Sequence, residues 1–247
     1  MRSLVLAFAL LVALPRFGST QTPDFLFGEP HAAIGVRTGW MQARAGSDLF
    51  TFVENQLTVS KKDFNAPAIG LDVDLTVTPR TTAILGFDFS RSNADSEYRN
   101  YVDNNRLPIK QNTKLRELNF SGSVKVALTP RGRSISPHAW IPSAMTPYVG
   151  AGGGFFKYDF TQQGDFVDFT DGSVFTHTYQ SSGWAPSAQV FGGVDVKAWR
   201  RVYFNAEARY VWSTGTLNGD YSGFNPGVRS KIDLAGFRTT AGVRYVF

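Results

Sequence analysis

The stretch Ala66-Pro67-Ala68-Ile69-Gly70-Leu71-Asp72-Val73-Asp74-Leu75-Thr76-Val77-Thr78 decides the fold. Successive side chains of a strand point to opposite faces, so Ile69, Leu71, Val73, Leu75 and Val77 share one face, and Gly70, Asp72, Asp74 and Thr76 share the other. Pro79-Arg80 makes a tight turn, after which Ala83, Leu85, Phe87 and Phe89 oppose Thr82, Gly86, Asp88 and Ser90. Two neighbouring segments thus carry one apolar face and one face that holds carboxylates.

The same alternation recurs outward in both directions. Leu118, Phe120, Val124 and Val126 oppose Glu117, Asn119, Ser121, Ser123 and Lys125 in a strand over about 115–128. From Pro147 a glycine-dense strand runs through Tyr148-Val149-Gly150-Ala151-Gly152-Gly153-Gly154-Phe155, which leaves little side-chain volume on a crowded inner wall. The rival reading of that run, a nucleotide-binding glycine loop, lacks a following Gly-Lys-Ser/Thr and a helix. Ser187 to Ala198 sets Val190, Val194 and Val196 against Gln189, Asp195 and Lys197, and Arg200-Arg201 forms the turn. Val202, Phe204, Ala206, Ala208, Tyr210 and Trp212 then oppose Asn205, Glu207 and Arg209, and the last strand sets Phe237, Ala241, Val243, Tyr245 and Phe247 against Arg238 and Arg244. A first strand over 32–43 has Ile34, Val36, Thr38 and Trp40 opposite Gly35, Arg37, Gly39 and Met41. Long polar loops (44–65, 91–114, 161–183 and 213–230) alternate with tight turns, except at 129–147, where Pro130, Pro137, Pro142 and Pro147 make the connection too proline-rich for a strand. Alternation within Leu49 to Val59 leaves eight strands and ten both open.

The composition agrees with a single β domain. Of 247 residues 14% are aromatic and 18% charged, with 24 glycines and no cysteine, so disulfides, thiol nucleophiles and Cys-ligated zinc are excluded. Met1 and Arg2 precede an apolar run from Leu4 to Leu14 and the small residues Gly18, Ser19 and Thr20, as in a secretory signal peptide; a buried N-terminal helix is the rival reading. With cleavage after Thr20 the domains are a signal peptide (1–20) and a barrel (21–247). The net charge of 25 − 20 = +5 falls to +3 when Arg2 and Arg16 leave with the signal, too mild to argue for nucleic acid.

Alternation alone fits a soluble barrel with its apolar face inward equally well. The membrane is favoured by the length of the apolar faces, by the alternation of long and short connections, and by aromatics near strand ends, namely Trp40, Tyr148, Tyr158, Trp199, Tyr210, Trp212 and Tyr245. A closed barrel is the non-helical way to satisfy backbone hydrogen bonds in lipid. The expected fold class is therefore all-β, a transmembrane antiparallel up-and-down β-barrel of about eight strands.

The ending Ala241-Gly242-Val243-Arg244-Tyr245-Val246-Phe247, together with Thr146-Pro147-Tyr148-Val149-Gly150-Ala151-Gly152 and Glu207-Ala208-Arg209-Tyr210, resembles the OmpA/OmpX/OmpW-like small outer-membrane β-barrel superfamily. The resemblance spans nearly all of the chain after the signal, and the 129–147 connection departs from it. It implies a bacterial outer-membrane location, a lipid-facing exterior, and an assembly signal at Val243, Tyr245 and Phe247 read by the outer-membrane assembly machinery.

The candidate site residues are the charges on the polar faces: Arg37, Asp72, Asp74, Asp88, Glu117, Lys125, Asp195, Lys197, Glu207, Arg209, Arg238 and Arg244. Side chains fill the lumen of an eight-stranded barrel, so these form an ion-paired plug or, in the functional alternative, the lining of a narrow gated pore. The stretch 166–175 reads as a hairpin projecting beyond the membrane around an Asp171-Gly172 turn, where Phe166, Phe169 and Phe175 form an adhesive or ligand-contact tip or simply pack on one another. His177, near Asp168 and Asp171, is the one hint of a hydrolase or metal group, and no partner residues complete it; His31 and His138 read as loop residues. Arg80, Arg131, Arg133, Arg200 and Arg201 give the short-turn side a basic rim for anionic headgroups or cell-wall polymer, or simply solvated charge. The function expected is a non-enzymatic monomeric barrel with a structural or surface-interaction role, needing no cofactor. A narrow solute pore is the alternative, and an outer-membrane hydrolase or acyltransferase the minority one.

Overall fold

The computed structural model describes residues 25–222 and 230–247. The expected signal segment, 1–20, and part of the fourth long loop lie outside the described residues.

Eight antiparallel strands form a closed ring: β1 (Ala32–Ala43), β2 (Ala66–Thr76), β3 (Thr81–Val102), β4 (Pro108–Ala127), β7 (Met145–Val167), β8 (Val174–Lys197), β9 (Val202–Thr216) and β11 (Gly236–Val246). The first and last of these pair from Ala33–Val246 to Ala43–Gly236, and Phe247 donates its backbone N–H to Ala32, so the C-terminal residue closes the barrel. Closure leaves no unpaired edge, the condition lipid imposes on a sheet. Among the described residues no helix is long and apolar enough to cross a membrane.

The pleat settles which face is inside. Leu85 is 66% exposed and Ile69, Leu71, Val73 and Leu75 are also exposed, whereas Arg37, Asp72 and Asp88 are at most 5% exposed. A soluble barrel would bury the first set. This one turns them outward, and the fold is an all-β transmembrane antiparallel up-and-down barrel. Trp40, Trp212, Trp199 and Tyr245 lie on the exposed exterior as the girdle reading requires, joined by Trp184, whose ring takes Lys157 at 6.0 Å. Tyr148 and Tyr158 depart from that reading. They stand on the inward parity of β7 and are buried, with Gly193 leaving room for Tyr148 and Gly183 and Gly215 for Tyr158. A Cβ on Gly150 would meet the Phe191 ring at 2.3 Å, so this glycine does give the inner wall its space.

Three of the loop expectations change. The 91–114 and 161–183 segments continue β3–β4 and β7–β8 as paired strands, with turns only at 103–107 and 168–173. Their outward faces turn polar, with Arg91, Asn93, Asp95 and Glu97 on β3 and Thr178, Gln180 and Ser182 on β8, so the apolar exterior ends while backbone pairing goes on. The first loop is neither strand nor irregular: it holds the helix α1 (Asp48–Gln56), with Leu49, Phe50 and Val53 buried at helical spacing, which resolves eight strands against ten. The proline-rich connection contains a hairpin, β5 (Gly132–Ser136) with β6 (Ala139–Pro142). Pro130, Pro137 and Pro142 fall before it, in its turn and at its end, where the missing N–H breaks no ladder. A last short strand, β10 (Lys231–Asp233), pairs with the end of β9.

Candidate functional site

Inward-pointing charges of the barrel wall meet in two groups. Near the short-turn end, Lys125 and Arg244 hold Asp74 and Asp195 in a closed quartet: Lys125 Nζ lies 3.1 Å from Asp74 and 3.4 Å from Asp195, and Arg244 lies 3.2 and 2.5 Å from the same two. In the middle, Arg37 reaches Asp72 at 3.1 Å, Asp88 at 2.8 Å and Glu207 at 3.0 Å. Arg209 shares Glu207 at 2.8 Å, and Arg238 sits 3.2 Å from Glu117. Tyr148 joins the groups, donating to Glu207 at 3.1 Å and accepting from Asn205, which also donates to Asp195. Eleven of the twelve expected lumen charges are thus placed together, and Lys197 stands half-buried at the short-turn end. Rings support the cations from beneath: Phe191 lies 4.8 Å from the Arg209 guanidinium carbon and Phe156 5.3 Å from that of Arg238.

Above this polar layer the lumen is apolar. Phe50 of α1 packs edge-on against Phe64 at 4.7 Å and Phe160 at 6.2 Å, and Phe160 meets Tyr221 at 5.4 Å. Asp233 fastens the helix-bearing loop to β10 by accepting from Arg44 Nε and the Gly46 N–H, each at 2.7 Å. At the opposite mouth, Trp140 of β6 pairs with Leu26 and both are buried, leaving a vestibule of about 60 Å³ above Asp74, Lys125 and Arg244. Arg131 ties this hairpin down: it pairs with Glu29 at 2.8 Å and donates to Thr76 and the Pro79 carbonyl. Of the basic rim, Arg131 is thus paired with Glu29 of the N-terminal segment, while Arg80, Arg133, Arg200 and Arg201 are exposed.

At the long-loop end, α1, the β3–β4 extension and the β7–β8 tip enclose a cleft of about 560 Å³. Phe166 stacks on Phe175 at 6.1 Å and meets Tyr179 edge-on at 4.6 Å, while Tyr101 meets Tyr98 at 6.0 Å and Phe169 at 5.6 Å, also edge-on. The phenylalanines of the expected tip are thus partly packed on one another, with Phe169 and Phe175 still exposed. Tyr98 and Tyr101 complete the wall and were not anticipated, since the intervening charges of Glu97-Tyr98-Arg99-Asn100-Tyr101 mask them. Asp168 accepts from the Thr170 N–H at 2.8 Å and Asp171 from the Ser173 N–H at 2.9 Å, which holds the Asp171 carboxyl below its usual range. His177 is exposed and rests on Tyr179 at 4.5 Å, apart from a hydrolytic constellation; among the described residues no three His, Cys, Asp or Glu side chains are grouped to hold a metal.

Fold and interior together define a small transmembrane β-barrel with a filled lumen and a ligand-sized cleft at its long-loop end. The chain is similar to small outer-membrane β-barrels of known structure. Neisserial surface protein A matches with 13% identity and a TM-score of 0.46, covering 87% of this chain and 96% of that one. The outer membrane protein OprG from Pseudomonas aeruginosa matches with 13% identity and a TM-score of 0.49, over 90% and 99%. Ail, the attachment invasion locus protein of Yersinia pestis, matches with 13% identity and a TM-score of 0.40, over 88% and 100%. No family model and no curated protein matches the sequence.

Proposed function

We propose that this protein is a bacterial outer-membrane barrel, exported through the 1–20 signal and assembled through Val243, Tyr245 and Phe247, whose work is done at the long-loop end rather than through the lumen. One observation carries the reading: the lumen is blocked twice, by a buried ion-pair network and by the apolar layer that α1 completes. A pore needs a hydrated path, and charges paired at about 3 Å under packed aromatic rings offer none. What remains available is the half-aromatic cleft, whose size falls in the range of small-molecule sites. The role is surface interaction, without catalysis.

The test is single-channel conductance of the refolded, heat-modifiable protein in a planar bilayer. Silent, folded barrels are expected. Reproducible steps that change when Arg209 or Glu207 is neutralised would overturn the reading in favour of a gated pore.

A further inference from the structure

The cleft is unusual for a surface that faces water, because its walls are rings set at right angles. Phe166 and Tyr179 meet at 82° and Tyr98 and Tyr101 at 86°, so rings of crossed orientation line both sides of the cleft. Its lining contains no Arg or Lys, and Asp168 is its single charged residue. The nearby Arg99 is spent elsewhere, donating to the carbonyls of Glu54 and Val59. Tyr179 reports the resulting field: beyond the apolar belt of the barrel, its hydroxyl is pushed up first by burial and then by the negative charges of Asp220 and Asp168.

A ring face is negative and attracts a cation placed within about 6 Å of its centre. Ring faces with a carboxylate at the rim favour a cation, while an anion finds no cationic side chain in the lining. From this complementarity we infer that the cleft binds a small free organic cation, a quaternary ammonium head carried on a short organic body. The inference rests on the cleft being the working site of the barrel. The ammonium head, weakly hydrated and apolar at its methyl groups, fits among Tyr101, Phe169 and Phe166, and the polar remainder lies beside Gln56 and Thr170. A phosphocholine group is a worse fit, since its phosphate finds no cation in the lining.

The experiment is a titration of the full barrel, refolded in a detergent free of ammonium groups, followed by isothermal calorimetry and by amide chemical shifts. The probes are choline, its neutral isostere 3,3-dimethylbutan-1-ol, and phosphocholine. Saturable choline binding at least about tenfold tighter than that of the isostere is expected, with shifts at Tyr101, Phe169 and Thr170 and weaker binding of phosphocholine. Asp168→Asn keeps the turn that the carbonyl oxygen of the side chain makes with Thr170; it weakens choline about fivefold and leaves the isostere unchanged. Phe169→Ala weakens choline about threefold or more. Equal binding of choline and isostere, both shifting the cleft, leaves a binding site there but overturns its cation selectivity. Phosphocholine binding as tightly as choline overturns the assignment to a free cation. Absence of saturation by every probe, in barrels that remain silent in bilayers, overturns the inference while sparing the closed lumen.

Discussion

Replacing Arg37 with methionine keeps an unbranched stem of similar reach and deletes one charge at the centre of the lumen. The middle group holds three cations, Arg37, Arg209 and Arg238, against four carboxylates, Asp72, Asp88, Glu117 and Glu207. The variant leaves two against four. Asp88 and Glu207 keep Arg209 as a partner, at 3.5 and 2.8 Å, but among the described residues Arg37 alone forms an ion pair with Asp72. The variant therefore strands one buried carboxylate, and breaking a buried pair from one side costs about 3–5 kcal/mol. The assay is equilibrium urea unfolding in lipid vesicles followed by tryptophan fluorescence, with the midpoint converted at constant slope. Adding Asp72→Asn to the same chain removes the stranded charge and should recover about half of the loss, a coupling that two independent sites would not show. A loss below about 1 kcal/mol for Arg37→Met, or no recovery in the double variant, would refute the reasoning, because it would mean that water already solvates Asp72 and that the lumen is wet at this level.

Other consequences follow from the same contacts. Gly154→Ala puts a Cβ 1.9 Å from the Phe120 carbonyl oxygen, so it should cost at least about 2 kcal/mol and lower the temperature at which heat-modifiable gel mobility is lost, whereas Gly122→Ala, with no atom within 4 Å of the new carbon, should not. Exchanging residues 48–56 for a Gly-Ser linker removes the α1 part of the apolar layer, yet bilayers should stay silent because both charged groups below remain; conductance in this variant alone would show that α1 is the only seal. Arg131→Ala breaks the contacts with Glu29, Thr76 and Pro79, and trypsin should then cleave at Arg133 at least about tenfold faster than in the parent chain.

Sequence pattern reports parity, and parity was readable wherever lipid enforces it. From Ile69 to Leu75, and from Ala83 to Phe89, one face must be apolar, so the outward and inward faces of β2 and β3 were visible in the letters, while their pairing register came from the structure. The glycines at 150, 152 and 154 were likewise legible as a thin inner wall, although not the reason that Phe191 and Ser123 need their room. Outside the lipid that constraint disappears, and with it most of the signal: the outward faces of the extensions carry Asn, Asp, Thr and Gln, which look the same in strand or loop, and only the hairpin around Asp171-Gly172 was legible there. Tyr148 and Tyr158 misled because an aromatic near a strand end suits either a girdle or a lumen, and only the pleat distinguishes them. The helix α1 hid behind its own brevity, since Leu49, Phe50 and Val53 cover about one turn and leave too few repeats to separate a period of 3.6 from one of 2.

What no pattern could supply is how the lumen charges pair. Six basic and six acidic residues on inward faces suggest one balanced plug, but position along the barrel divides them. The quartet at the short-turn end is neutral in itself, and the middle group carries one carboxylate more than it has cations. Neutral pairing at a mouth close to water needs only four short contacts, while in the unbalanced middle Tyr148 and Ser90 donate to Glu207 and Glu117 where arginines are too few, and Gln189 accepts from Arg209. The links between strands that are not neighbours come from Tyr148 of β7 to Glu207 of β9, from Arg37 of β1 to Asp88 of β3 and Glu207, and from Arg238 of β11 to Glu117 of β4. The network that fills the lumen therefore also fixes the barrel's cross-section. It is against this rigid wall that α1 and the β7–β8 tip can hold a cleft open at the surface, where a flexible lumen would let them collapse inward.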